Sequence, residues 1–340
     1  MICFFLLENT IKIKKIRKRL NMNNSTIFRL MLVLFVALLG TTTSQAQQEN
    51  QYTQFMYNKL YLNPAVAGVR GIPSITALYR NQWIGFEGSP KSMLASFDAP
   101  LFGDRVGIGI NLSNHTIGIM ENWYGSMSYS YKIQLSDEAA LRFGLQGSVR
   151  YLNMDFSNPD FNARQSGDNS IITNAVDDQF KGNFGLGMYF TYADTYLGIS
   201  APRFFPNEIG LNNFEAIVAT EVPHFYVMAG TLLPLNKKIT LSPSVLAKYV
   251  LNAPFDLDIN LCLVYDERVT AGISYRIGGT GTGDSVDFML LYRMNSITIG
   301  LAYDLSISEI RTYNSGSFEA LVRYDFLKER EDMANPRFFD

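Results

Sequence analysis

Trp123-Tyr124-Gly125-Ser126-Met127-Ser128-Tyr129-Ser130-Tyr131-Lys132-Ile133-Gln134-Leu135 alternates without a break: odd positions carry Trp, Gly, Met, Tyr, Tyr, Ile and Leu, even positions 126 to 134 carry Ser, Ser, Ser, Lys and Gln. Successive side chains on a strand point to opposite faces, so this stretch predicts a strand with one apolar and one polar face. The pattern continues outward from it. Leu141, Phe143, Leu145, Val149 and Tyr151 oppose Arg142, Gln146, Ser148 and Arg150. On the other side, Val106, Ile108, Ile110 and Leu112 oppose Gly107, Gly109, Asn111 and Ser113. Val269 to Ile277 and Phe318 to Phe326 repeat it near the other end of the chain.

Reading every such run gives fourteen strands, near 74–82, 91–98, 106–113, 123–135, 140–153, 183–192, 196–201, 223–233, 239–250, 256–265, 269–277, 285–293, 297–307 and 317–326. A soluble sandwich also alternates. Loop lengths separate the two. Connections after odd-numbered strands run to roughly 8, 9, 29, 21, 5, 7 and 9 residues and those after even-numbered strands to roughly 7, 4, 3, 5, 3 and 3. Short turns at one end, long loops at the other and an outward apolar band belong to outer-membrane barrels. Outward Tyr131, Tyr151, Tyr192, Tyr265, Tyr303 and Tyr324 lie toward strand ends, where an amphipathic ring suits the lipid–water boundary. Closure is required, because hydrocarbon offers no partner to an open sheet edge. The expected fold is therefore all-β, a transmembrane antiparallel β-barrel of about fourteen strands of bacterial outer-membrane type. An even strand number with periplasmic turns places both chain ends in the periplasm.

Composition agrees. Of the 340 residues, 18% are charged and 13% aromatic, a balance favouring strands. The longest apolar run, Leu30 to Leu39, is too short for a spanning helix of about 20 residues. With Arg29 before it and Ser44-Gln45-Ala46 after it, the run reads as an export signal covering residues 1–46. The basic stretch Lys12 to Arg19 makes that leader long, and Met22 would open one of conventional length. Removing it takes seven of the 29 basic and one of the 31 acidic residues, leaving 22 against 30, so a general nucleic-acid binder is excluded. Only Cys262 remains, and no intrachain disulfide can form. Residues 47–73 form a periplasmic N-terminal segment, a plug or a docking surface, 74–326 the barrel, and 327–340 a periplasmic tail.

The pre-barrel segment reads Gln51-Tyr52-Thr53-Gln54-Phe55-Met56-Tyr57-Asn58, then Leu62-Asn63-Pro64-Ala65-Val66-Ala67-Gly68. The first strand carries Ala77-Leu78-Tyr79-Arg80-Asn81-Gln82-Trp83-Ile84-Gly85-Phe86, and the chain closes on Asn335-Pro336-Arg337-Phe338-Phe339. Across the mature chain this resembles the PorP/SprF family of type IX secretion system membrane proteins. The resemblance implies an outer-membrane barrel that works with periplasmic ring components of the secretion and gliding machinery. Such a barrel supports export or surface attachment of large adhesins bearing C-terminal sorting domains. The alternative is a diffusion porin or small-solute channel.

The candidate partner-binding residues are Asn63, Pro64, Ala65, Gly68, Arg80, Asn81, Gln82, Trp83, Arg337, Phe338 and Phe339. Each has a plainer reading. Asn63-Pro64 reads equally as a turn, since Pro fixes φ and restrains its predecessor. Trp83 and Phe86 read as interface anchors. Arg337, Phe338 and Phe339 join a cation to two rings, a combination that anchors interfaces when desolvated, at the end of an otherwise solvated tail. Arg80, Lys132, Arg142, Arg150, Lys248, Arg276, Arg293 and Arg323 share the lumen face with Asp258, Asp287, Asp304, Glu319 and Asp325, which predicts mutually neutralising pairs. Asn111 and Ser274 are expected to face the lumen and to tolerate arginine better than lipid-facing Ile110 and Ile273. No enzyme, metal or cofactor is expected. His115 and His224 stand in no metal spacing, Ser113 lacks a visible triad, Asp168, Asp177 and Asp178 read as a solvated loop, and Gly278 to Gly283 lacks the Lys and helix of a phosphate loop.

Overall fold

The computed structural model describes residues 51–155, 176–211, 216–250, 255–278 and 283–326. The leader, most of the 154–182 loop, including Asp168, and the tail with Arg337, Phe338 and Phe339 lie outside them. The strands are β1 Ser74–Asn81, β2 Lys91–Leu101, β3 Val106–Ile117, β4 Met120–Gln134, β5 Ala139–Asp155, β6 Val176–Tyr192 and β7 Thr195–Ala201. They continue with β8 His224–Thr231, β9 Ile239–Val250, β10 Asp256–Tyr265, β11 Val269–Ile277, β12 Gly283–Met294, β13 Ile297–Ser306 and β14 Ser317–Asp325. The two-residue piece Leu233–Pro234 prolongs β8 along β9. Each strand pairs antiparallel with the next, and β14 returns to β1 through Ser74↔Asp325 to Asn81↔Phe318. The result is a closed up-and-down barrel of fourteen strands.

Burial is inverted relative to a water-soluble protein. Ile110, Leu112, Met127, Val149, Ile273, Leu290 and Val322 are exposed on the outside, whereas Asn111, Ser130, Gln146, Asp287 and Glu319 are buried within. Polar atoms inside and an apolar band outside are the stable arrangement in lipid. The sequence-derived faces of β3, β4, β11 and β14 are those observed.

Three connections differ from expectation. The loop expected over 154–182 is shorter, because β5 runs to Asp155 and β6 starts at Val176, which puts Asp177 and Asp178 on a strand paired with Met154 and Asn153. The nine-residue loop expected between the third and fourth strands is a tight turn, because β3 runs to Ile117 and β4 starts at Met120; Gly118 takes the turn at φ +55°. The connection from β7 to β8 contains an extra hairpin, Asn207–Leu211 paired with Ala216–Glu221. Its second strand, Ala216-Ile217-Val218-Ala219-Thr220-Glu221, is rich in β-branched residues but does not alternate, so periodicity passes over it. The connections 82–90 and 307–316 and the hairpin between β7 and β8 lie at one end of the barrel, the long-loop end, and the turns 102–105, 135–138, 193–194, 266–268 and 295–296 at the other.

Candidate functional site

The lumen is occupied by the segment before β1. Residues 51–72 form three short 3-10 turns, Phe55–Tyr57, Lys59–Tyr61 and Pro64–Val66, and nearly all of their side chains are buried. Of the two roles expected for the N-terminal segment, plug or periplasmic docking surface, these residues take the first.

The Asn-Pro motif shows how a local signal becomes an anchor. Asn63 is extended at φ −143° and its Oδ1 accepts the Ala65 amide at 2.9 Å, capping a turn whose first residue is Pro64. The same side chain donates from Nδ2 to Met188 O at 3.0 Å and Ile199 O at 3.4 Å, so one amide ties the turn to β6 and β7. Asn63 and Ala65 are both fully buried. The barrel makes room by omitting side chains. A Cβ at Gly187 would lie 2.1 Å from Asn63 Oδ1, one at Gly144 2.1 Å from Ala65 N, and one at Gly107 1.9 Å from Ala67 O. Gly68, at φ +69° with its own absent Cβ 2.8 Å from Gly107 Cα, turns the chain toward the exit where no other residue fits.

Toward the long-loop end a charge network grips the start of the segment. Glu319 accepts the Thr53 amide at 2.9 Å and the Gln54 amide at 2.8 Å. Arg80 reaches Asp304 at 2.6 Å, Glu319 at 3.2 Å and Thr53 Oγ1 at 3.1 Å. Arg276 reaches Asp258 at 2.7 Å and Asp287 and Asp304 at 3.6 Å each, and Lys248 reaches Asp258 at 2.7 Å. Three cations thus face four carboxylates, so mutual neutralisation holds the network. Toward the turn end, Arg70 lies 3.2 Å from Asp325, and Arg142 donates to Ala67 O, Gly68 O and Asp104 O. Arg323 donates to Tyr57 O.

Between the two polar regions lies an apolar layer. Phe55, Met56, Tyr61 and Leu62 pack among lumen-facing Leu78, Leu94, Tyr124, Tyr226, Met228, Leu246, Cys262, Met289, Leu291 and Leu321. The Lys59 ammonium sits 4.0 Å from the Tyr196 ring centroid, which offers its π face to the buried cation. Burying these rings against the wall stabilises the segment where hydrogen bonds are fewer, and each aromatic side chain removes roughly 150–250 Å² from solvent.

A family model for the type IX secretion system membrane protein PorP/SprF matches residues 44–324. The chain belongs to the PorP/SprF family. No curated protein matches it in sequence. Among solved structures it is similar to the TodX deltaS2S3 mutant monoaromatic hydrocarbon channel, with 11% identity, a TM-score of 0.47, and 78% of this chain and 93% of that one covered. It is also similar to the toluene transporter TbuX of Ralstonia pickettii, at 12% identity, TM-score 0.46 and coverage of 78% and 92%. A third is the outer membrane protein Omp33 of Acinetobacter baumannii, at 6% identity, TM-score 0.44 and coverage of 75% and 98%. The barrel rests on its own strand pairing, independently of these likenesses.

In this PorP/SprF barrel the candidate residues separate into three groups. Asn63, Pro64, Ala65 and Gly68 are inside the lumen, and Arg80 sits in the charge network below them in sequence. Asn81, Gln82 and Trp83 continue β1 toward the long-loop end. Gln82 N donates to Pro90 O, Trp83 N to Ser317 Oγ, and Ile84 N to Gly316 O, so the strand's pairing extends past its assigned end. Trp83 stands at φ +55°. Sequence reasoning missed Glu319 and Asp304 as plug anchors and missed the glycines as plug seats. The signal was there in the lumen-facing Leu, Met and Tyr residues, which break the polar face without reason unless something apolar lies against them.

Proposed function

We propose that this PorP/SprF protein is a protein-binding subunit of the type IX secretion and gliding machinery and that its barrel is not an open conduit. Its long loops face the cell exterior and its tight turns the periplasm. It supports export or surface attachment of adhesins with C-terminal sorting domains and docks to periplasmic ring components through its turn side. The observation that carries this reading is the filled lumen: residues 51–72 hold both polar regions and the apolar layer between them. A diffusion porin is the competing reading, and it needs a continuous aqueous path. In planar bilayers the purified full-length barrel is expected to show no stable openings at moderate voltage. Steady, reproducible conductance steps would favour the porin.

The tail, 327–340, is the docking element of choice, because Asn63-Pro64 is sealed in the lumen and cannot meet a partner there. Deleting Asn335 to Asp340 is expected to leave a folded outer-membrane barrel that no longer co-purifies periplasmic ring proteins. Capture at wild-type yield by the truncated barrel would remove Arg337, Phe338 and Phe339 from the interface.

A further inference from the structure

The contacts of residues 51–72 descend the barrel in order. Gln51 Nε2 lies 3.5 Å from Asp256 Oδ2, on the first residue of β10 at the long-loop end. Thr53 and Gln54 meet Asp304, near the long-loop end of β13, and Glu319, two residues into β14 from that end. Asn58 meets Ser96 and Leu60 meets Asn111, both mid-strand. Asn63 meets Met188 and Ile199, four residues or so from the turns. Ala67 O accepts from Ser130, Gly68 N donates to Asp98, and Arg70 pairs with Asp325, the last residue of β14 at the turn end. β1 then starts at that same end.

We infer that the chain enters the lumen from the long-loop mouth and leaves at the turn end, so that the N-terminus of the exported protein is presented on the long-loop side. At about 3.4 Å per residue, Asp256 stands about 30 Å along β10 from Tyr265. With the strand tilt of such barrels, about 40°, that is some 23 Å of height, close to the full apolar band of about 25 Å. Gln51 is therefore level with the far rim, and the four residues from the expected mature start, Gln47, can reach about 13 Å beyond it. This departs from the expectation that both ends of the chain lie together on the turn side.

The inference of which side is the cell exterior rests on the orientation given under the proposed function; the threading does not. Single cysteines at Gln48, Tyr313 in the 307–316 connection and Lys237 in the turn after β8 separate the two. Native Cys262 is buried and serves as background. Assembly is checked by heat-modifiable migration, and Asn50→Cys repeats the measurement if Gln48→Cys does not assemble. With a membrane-impermeant maleimide on intact cells, Gln48→Cys is expected to label as Tyr313→Cys does, and Lys237→Cys only after the outer membrane is permeabilised. If Gln48→Cys labels with Lys237→Cys, or with neither before and after permeabilisation, the threading is overturned. If Lys237→Cys labels on intact cells while Gln48→Cys and Tyr313→Cys label only after permeabilisation, the threading stands and the orientation falls.

Discussion

Arginine in place of Ile110 or Ile273 is expected to block assembly, each at a cost of about 2 to 4 kcal/mol near mid-membrane. Ile110 is 44% and Ile273 46% exposed on the outer face. Their cross-strand partners are Phe97 and Met127 for the first and Leu261 and Phe288 for the second, so each guanidinium would stand in a belt of apolar neighbours and lipid. Heat-modifiable gel migration reads the folded fraction, and wild-type levels for both variants would refute a lipid-facing wall. On the lumen face the wall is expected to tolerate arginine better than on the lipid face, but the plug is not. Asn111 is buried, bonds Ser96 Oγ and Ser126 Oγ, and lies 3.5 Å from Leu60 O. Asn111→Arg is therefore expected to fold the barrel and expel the plug, which protease cleavage within 51–72 would report.

Glu319→Ala carries the second large effect. Glu319 is fully buried, and its two oxygens satisfy the Thr53 and Gln54 amides and the Arg80 guanidinium together. Alanine strands two buried amide donors and leaves Arg80 with Asp304 as its carboxylate. Removing one member of a buried ion pair typically costs about 3 to 5 kcal/mol, since the remaining charge stays desolvated. Glu319→Gln keeps one acceptor and the shape, and its loss is expected to be smaller. Thermal unfolding in detergent measures both, with exposed Glu309→Ala as reference. A midpoint for Glu319→Ala indistinguishable from that reference would mean that the plug is not held at this pole.

How the wall was legible and the plug was not follows from the range of the forces. The faces of β4 could be read from Trp123 to Leu135 alone, because alternation is a property of neighbouring residues and lipid on one side enforces it at every step. Boundaries moved where a turn was tighter than composition suggested, as at Gly118. The Asn63-Pro64 turn was legible as a turn, for its cap is local. Its tie to Met188 and Ile199 spans 125 and 136 positions, and no local pattern encodes it.

By itself, then, the sequence determined a closed wall of fourteen strands, its lipid face, its unequal ends and its charged interior. Each follows from period-two chemistry and from the need to pair every backbone group in hydrocarbon. Only the tertiary structure decided what fills that wall, which glycines it sits against, which carboxylates hold it and which way it runs. Those choices depend on residues far apart in the chain meeting across the lumen, where one Cβ at Gly144 would already collide with Ala65.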